Sequence, residues 1–163
     1  MLTRKGGIYL SKNTLVEVYL DFTKDIYLDS IDYEPDWDFS LQTVTNKLGI
    51  SPTNTQKVGE WANSKRQYGH TQWKYSTGKI ETLDFDMALN KVVDTFKDKV
   101  DVINELKQEL GLRTSFRAVT YVYDGMSPGY SFPFNVMKFL ISINTATEID
   151  EYVYGFVEEN IDD

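Results

Sequence analysis

TLDFDMALNKVVDTFKDKVDVINELKQEL, residues 82–110, followed by Gly111, is the stretch that decides how this chain folds. At about 100° per residue, Phe85, Leu89, Val92, Phe96, Val100, Ile103, Leu106 and Leu110 fall within about 60° of one line, the apolar stripe of a helix with one buried face. Unbroken, such a helix would run about 44 Å, longer than a domain of this size is usually wide, so a break is expected. It belongs near 97–99, where Asp98 can cap a new first turn with Asp101 close to its N-terminal dipole. Asp84 or Thr82 starts the first half and Gly111 ends the second.

Working outward, LVEVYLDF at 15–22 alternates Val16, Val18, Leu20 and Phe22 with Glu17, Tyr19 and Asp21, a strand with one buried face. The short GIYLS before it reads as an edge strand or an arm, and 24–38 as a long connection. Ser40 caps a short helix lined by Leu41, Val44 and Leu48 and stopped by Gly49. Pro, Gly, Asn and Ser scattered over 50–72 read as a loop, and one this long is uncommon in a compact domain unless it is functional or mobile. Trp73, Tyr75 and Thr77 alternate with Lys74 and Ser76 as a short strand.

RTSFRAVTYVYDG after Gly111 reads as a central strand, its second half covered on both sides. Ser131 and Pro133 open a helix with Phe134, Met137, Leu140 and Ile141 inward, and 148–157 forms a last strand with one wet face. The resulting expectation is an α+β two-layer sandwich: a four- to five-stranded, mostly antiparallel sheet with helices packed on one face.

With 163 residues the length prior gives a single domain, residues 1–163, with 1–13 and 158–163 the stretches most open to flexibility. The chain has no cysteine, which excludes disulfides and thiolate metal sites and makes the cytoplasm the default compartment. No run approaches the length of a membrane span, and no signal peptide is expected. The formal charge is −8, which argues against general binding to nucleic acid or anionic membranes. Between 57 and 79, however, Lys57, Lys65, Arg66, Lys74 and Lys79 face only Glu60, a local +4, so the rest carries −12.

Several pieces, taken in their order and spacing, resemble one family. They are LGISPT (48–53) with KVGE (57–60), WKYSTG (73–78), the central helices through ELKQELG (105–111), and MSPGYSF through EIDEYVY (126–154). The family is the bacterial proteins of domain of unknown function 4279, and the likeness runs from about Val16 to Tyr154. The resemblance implies a small, mostly cytoplasmic bacterial protein of undetermined activity and carries over no catalytic residue. The segment 24–38 is longer than the family pattern.

Two Asp-x-Asp pairs, Asp36/Asp38 and Asp84/Asp86, have the oxygen ligands for Mg²⁺, but both stand at helix starts, where capping is the better reading. His70, the sole histidine, reads as a surface residue of a polar loop. No catalytic residue, metal site or cofactor is therefore assigned.

The first function hypothesis is a non-enzymatic module that binds a protein partner, a toxin-neutralising immunity protein being one concrete version. Its binding residues are Trp61, Lys65, Arg66 and Tyr68, with Trp73 and Tyr75 beside them. The second is a small-molecule binder or enzyme with an aromatic-lined cleft, in which Tyr75, Tyr121, Tyr123 and the acid Asp150 supply polar groups. For Asp150, a structural pairing with Arg117 or a tyrosine is preferred to a functional acid. Nucleic acid and membranes are disfavoured as partners, and homo-oligomerisation through a sheet edge fits either hypothesis.

Overall fold

The computed structural model describes residues 13–25 and 36–155 in full, with the backbone of two short strands, β1 (Thr3–Lys5) and β2 (Ile8–Leu10), paired antiparallel. Residues 26–35 and 156–163 lie outside the described part. The expected flexibility of the termini therefore concerns residues that are largely not described, and so does the end of the predicted last strand.

The next elements in chain order are β3 (Leu15–Lys24), α1 (Leu41–Leu48), β4 (Asn54–Gln56), β5 (Trp61–Asn63), β6 (Arg66–Gln67), β7 (Gln72–Ser76) and β8 (Ile80–Glu81). After them come α2 (Phe85–Phe96), a 3₁₀ turn at Lys97–Lys99, α3 (Val100–Leu110), β9 (Leu112–Tyr123), α4 (Phe134–Ser142) and β10 (Ala146–Tyr154). The main sheet has six strands in the order β10-β9-β3-β7-β4, with β8 also paired to β3. All pairings in it are antiparallel except β9 with β10. The strand count is one above the expected range because the polar stretch at 54–56 contributes β4 and residues 80–81 contribute β8, while β2 at the expected GIYLS lies outside this sheet.

The central helix breaks at 97–99 as its sequence requires. Asp84 caps α2 by accepting from the Met87 amide at 2.9 Å, and Gly111 ends α3 in the left-handed region at φ 60°, which lets the chain turn straight into β9. Asp98 does not cap the second half. It sits inside the 3₁₀ turn, and Lys99 holds the cap position without a side-chain bond.

Val16, Val18, Leu20 and Phe22 of β3, with Phe116 and Ala118 of β9, turn toward the helices and are fully or almost fully buried. They meet Phe85, Leu89, Val92 and Phe96 of α2 and Ile103 and Leu106 of α3 in one core. Trp73 of β7 sits in that core, edge-on to Phe22 and Phe96 at 5.5 and 6.4 Å, and its indole N–H donates to Thr45 Oγ1 at 3.0 Å. All the described helices lie on this face, so the architecture is the α+β sandwich.

Two elements depart from the sequence reading. The stretch 57–70 is no structureless loop. Strands β5 and β6 make a hairpin that continues through Gly59 N–H to Tyr68 O at 2.9 Å and Tyr68 N–H to Glu60 O at 2.8 Å. In α4, Val136, Phe139, Leu140 and Ile143 point inward, whereas Phe134, Met137 and Ile141, expected inside, are exposed. FNVMKFLISI is apolar at so many positions that it holds two overlapping stripes, and periodicity alone does not choose between them. The crossover from β9 to the parallel β10 makes the choice, because it must lay α4 against α2.

Candidate functional site

The make-up of the sheet face without described helices follows from register. On this side β3 presents Glu17, Tyr19, Asp21 and Thr23, opposite Val119, Arg117, Ser115 and Arg113 of β9. On the far side of β9, Glu148, Asp150, Tyr152 and Tyr154 of β10 stand opposite Arg117, Val119, Tyr121 and Tyr123. The parallel register therefore stacks like on like: Tyr121 lies over Tyr152 with ring centres 5.6 Å apart, and Tyr123 over Tyr154 at 5.1 Å.

Arg117 is the hub of this face. It donates to the Tyr19 hydroxyl at 3.1 Å and to Glu148, and its Nε lies 3.6 Å from Asp150. Lys74 Nζ sits 4.4 Å from the centre of the Tyr19 ring and Lys79 Nζ 3.9 Å from that of Tyr121, so cations roof the aromatic rows.

The sequence expectation put Asp21 on the exposed side of its strand, yet it is only 6% exposed. Lys74 of β7 and Ser115 of β9 stand opposite it in register, and burial, opposed by Arg117, Lys74 and Arg113, raises its pKa from 3.8 to about 6. A cleft of about 350 Å³ opens beside it, lined also by His70, Gln72, Arg113, Ser115 and Glu148. Asp150 does not line this cleft. It is half exposed next to Arg117, one of the partners expected for it, and the acid in the pocket is Asp21.

The sequence-derived binding set divides. Trp61 is 66% exposed on the β5–β6 hairpin, with Lys65 and Arg66 exposed at and after its turn and Tyr68 partly covered on the returning strand. Trp73 and Tyr75 leave the set. Trp73 is fully buried, and Tyr75 turns to the helix side, edge-on to Phe96 at 5.3 Å. Tyr75 thus stands across the sheet from Tyr121 and Tyr123, and these residues do not form one cleft.

The hairpin root is braced. Asp38 accepts from Thr71 Oγ1 at 2.6 Å and from Lys57 Nζ at 2.9 Å, which holds its carboxyl below the usual carboxylate range. Thr71 in turn accepts from the Val58 amide at 3.1 Å. Asp38 is thus a brace rather than a helix cap, while Asp84 caps α2 as expected.

Sequence reasoning missed a second surface. Phe134 and Ile141 of α4 are each 78% exposed, with Met137 between them. On the opposite flank of α4, Asn135 donates to Asn90 of α2 at 2.6 Å and the Ser142 carbonyl accepts from Asn104 of α3 at 3.0 Å. The apolar stripe therefore lies on the flank turned away from those helices. Ile149 and Val153, on the same side of the sheet in β10, are exposed too, and among the described residues β10 pairs with β9 alone. The signal was present as the surplus of apolar residues in α4, more than one buried face needs.

Among the described residues no helix is long and apolar enough to cross a membrane. One family model, described as domain of unknown function (DUF4279), matches residues 12–154. No curated protein and no solved structure matches the chain.

Proposed function

The chain belongs to the family described as domain of unknown function (DUF4279), and from its surfaces we propose that it is a non-enzymatic protein-binding module that docks a partner along β10 and the adjoining flank of α4. The observations that carry this reading are a nine-residue strand that, among the described residues, pairs only with β9, and a helix on the same side of the sheet whose Phe134 and Ile141 are 78% exposed. Bare edges invite strand addition, and natural proteins blunt them with charge or cover. Glu148, Asp150 and Glu151 supply such charge, but blunting does not account for an apolar helical stripe on the same side of the sheet.

Arg117 offsets one of these three charges, and the acidic excess that remains selects the partner. A second copy paired antiparallel along β10 would bring acidic side chains against acidic ones. A strand or helix carrying lysine and arginine meets the acids with opposite charge and covers the apolar stripe, so the partner is a different protein with a basic, partly apolar docking segment. An immunity-type protein masking a basic toxin is one form this takes.

A second reading rests on Trp61, whose exposure beside Lys65 and Arg66 on a braced hairpin suits an acidic protein surface. Co-purification of the tagged protein from its own cells separates the two. The first reading expects the partner to be lost when Phe134 and Ile141 are both changed to Ser and retained in Trp61→Ala. The reverse pattern assigns the function to the hairpin.

A further inference from the structure

Three groups at one end of the sheet face without described helices have bonding capacity that no described residue uses. Gln72 Nε2 donates to Asp21 Oδ2 at 3.0 Å, and among the described residues nothing donates to Oδ1. Arg113 Nε donates to Thr23 Oγ1 at 3.3 Å, and its two terminal nitrogens have no described partner. The Ser115 hydroxyl, directly opposite Asp21 in the β3–β9 register, is also unpaired among the described residues. All three line the cleft of about 350 Å³.

Asp21 is only 6% exposed, and holding a carboxylate where little water reaches it costs stability. Its raised pKa of about 6 leaves it mostly ionised at neutral pH, so the cost is that of a charge. Groups kept at such a cost in a cleft mark functional sites.

The charges define what fits. Glu148 and Arg117 bond directly to each other, and Arg117 and Lys74 act on Asp21 as well without offsetting its burial. Asp21 and Arg113 stand one diagonal step apart on neighbouring strands, a spacing of roughly 7–8 Å between such positions, and form no ion pair. A simple anion attracted by Arg113 meets the repulsion of Asp21, and a simple cation meets that of Arg113. A small molecule with both charges meets Asp21 and Arg113 together, and the volume is at the low end for ligand pockets.

We propose that this cleft binds a free α-amino acid, its ammonium donating to Asp21 Oδ1 and its carboxylate accepting from the Arg113 guanidinium and the Ser115 hydroxyl. The site is separate from the β10 and α4 surface, and its existence does not depend on the protein-binding reading.

The test is an amide NMR titration of the isotope-labelled full chain at neutral pH with each common α-amino acid at millimolar concentration. Acetate and methylammonium serve as single-charge controls. At least one amino acid is expected to move the signals of Gln72 and residues 113–117, and the controls are not. Asp21→Asn and Arg113→Gln are each expected to weaken binding by about tenfold or more, while Gln108→Ala, exposed on α3, leaves it unchanged. Asp21→Asn should melt no lower than the wild type, so its loss of binding is not unfolding. The proposal is overturned if no amino acid moves these signals, if either control binds as well, or if both variants bind like the wild type.

Discussion

The two edges of the sheet are built on opposite principles. At one, β4 is three residues long and polar, its neighbouring hairpin is basic, and the Asp38–Thr71–Lys57 cluster ties the hairpin root to the segment leading into α1. At the other, β10 runs for nine residues with acidic and aromatic side chains and, among the described residues, pairs only with β9, and α4 on the same side of the sheet carries a second, exposed apolar stripe. A short, braced edge needs nothing further to be stable in water, whereas a long bare edge with apolar surface beside it is a liability that a monomer has little reason to keep. The difference teaches that exposure alone does not mark a binding surface. Trp61 is highly exposed on the finished edge, and Phe134 and Ile141 are exposed on the unfinished one.

The largest expected effect strikes both edges together. Trp73→Ala empties the core position on which β7 and α1 rest and should cost about 3–5 kcal/mol in denaturant unfolding. Hydrogen exchange should rise at β4 and β10 alike. A response confined to the β4 side would show that the two edges do not share one core.

Next comes Asp21, which lies between the edges. Gln72 and Lys74 of β7 and Arg113, Ser115 and Arg117 of β9 face it. Because its folded pKa is raised, its contribution is most favourable below the ordinary value near 3.8 and is lost as pH rises through about 6. Asp21→Asn should therefore stabilise the protein at neutral pH by at most about 3 kcal/mol. The gain should shrink as pH falls from about 6 to about 4. A variant that is less stable than wild type at neutral pH would contradict the account of a costly buried acid.

A smaller effect sharpens the comparison at the braced edge. Asp38→Ala removes the acceptor of Thr71 and Lys57, a partly exposed cluster worth about 1 kcal/mol. Amide exchange should rise in the β5–β6 hairpin and stay unchanged in β10. Since the Asp38 pKa is lowered, wild type should lose this advantage as pH falls through the folded value, the opposite sign to Asp21. Smallest of all, changing Phe134 and Ile141 to Ser should alter stability by less than about 0.5 kcal/mol each, because exposed side chains contribute little to the isolated fold.

What could be read from sequence was local chemistry with a strong period. The stripe from Phe85 to Leu110, its break at 97–99 and the stops at Gly49 and Gly111 all follow from spacing and backbone preference, as do the caps Ser40 and Asp84. Asp98 looked like a cap because acids favour that position, but the chain crosses the break as a 3₁₀ turn and needs none. The face of α4 was ambiguous because both its stripes are apolar. The burial of Asp21 was invisible for a different reason: the residues that face it, Gln72, Lys74 and Ser115, lie far along the chain, and only strand register brings them to it. Of the candidate binding residues, the hairpin set stayed on the surface, and Trp73 was lost to the core because a tryptophan in a short alternating strand suits either place.

The most direct measurement is site-specific photo-crosslinking in the protein's own cells, with the reactive side chain placed at Ile141 in one variant and at Trp61 in another. The account predicts a discrete adduct from Ile141 with a different protein, joined through a segment rich in lysine or arginine, and a weaker adduct or none from Trp61. An adduct from Trp61 alone, or from Ile141 with only a second copy of this chain, would contradict it.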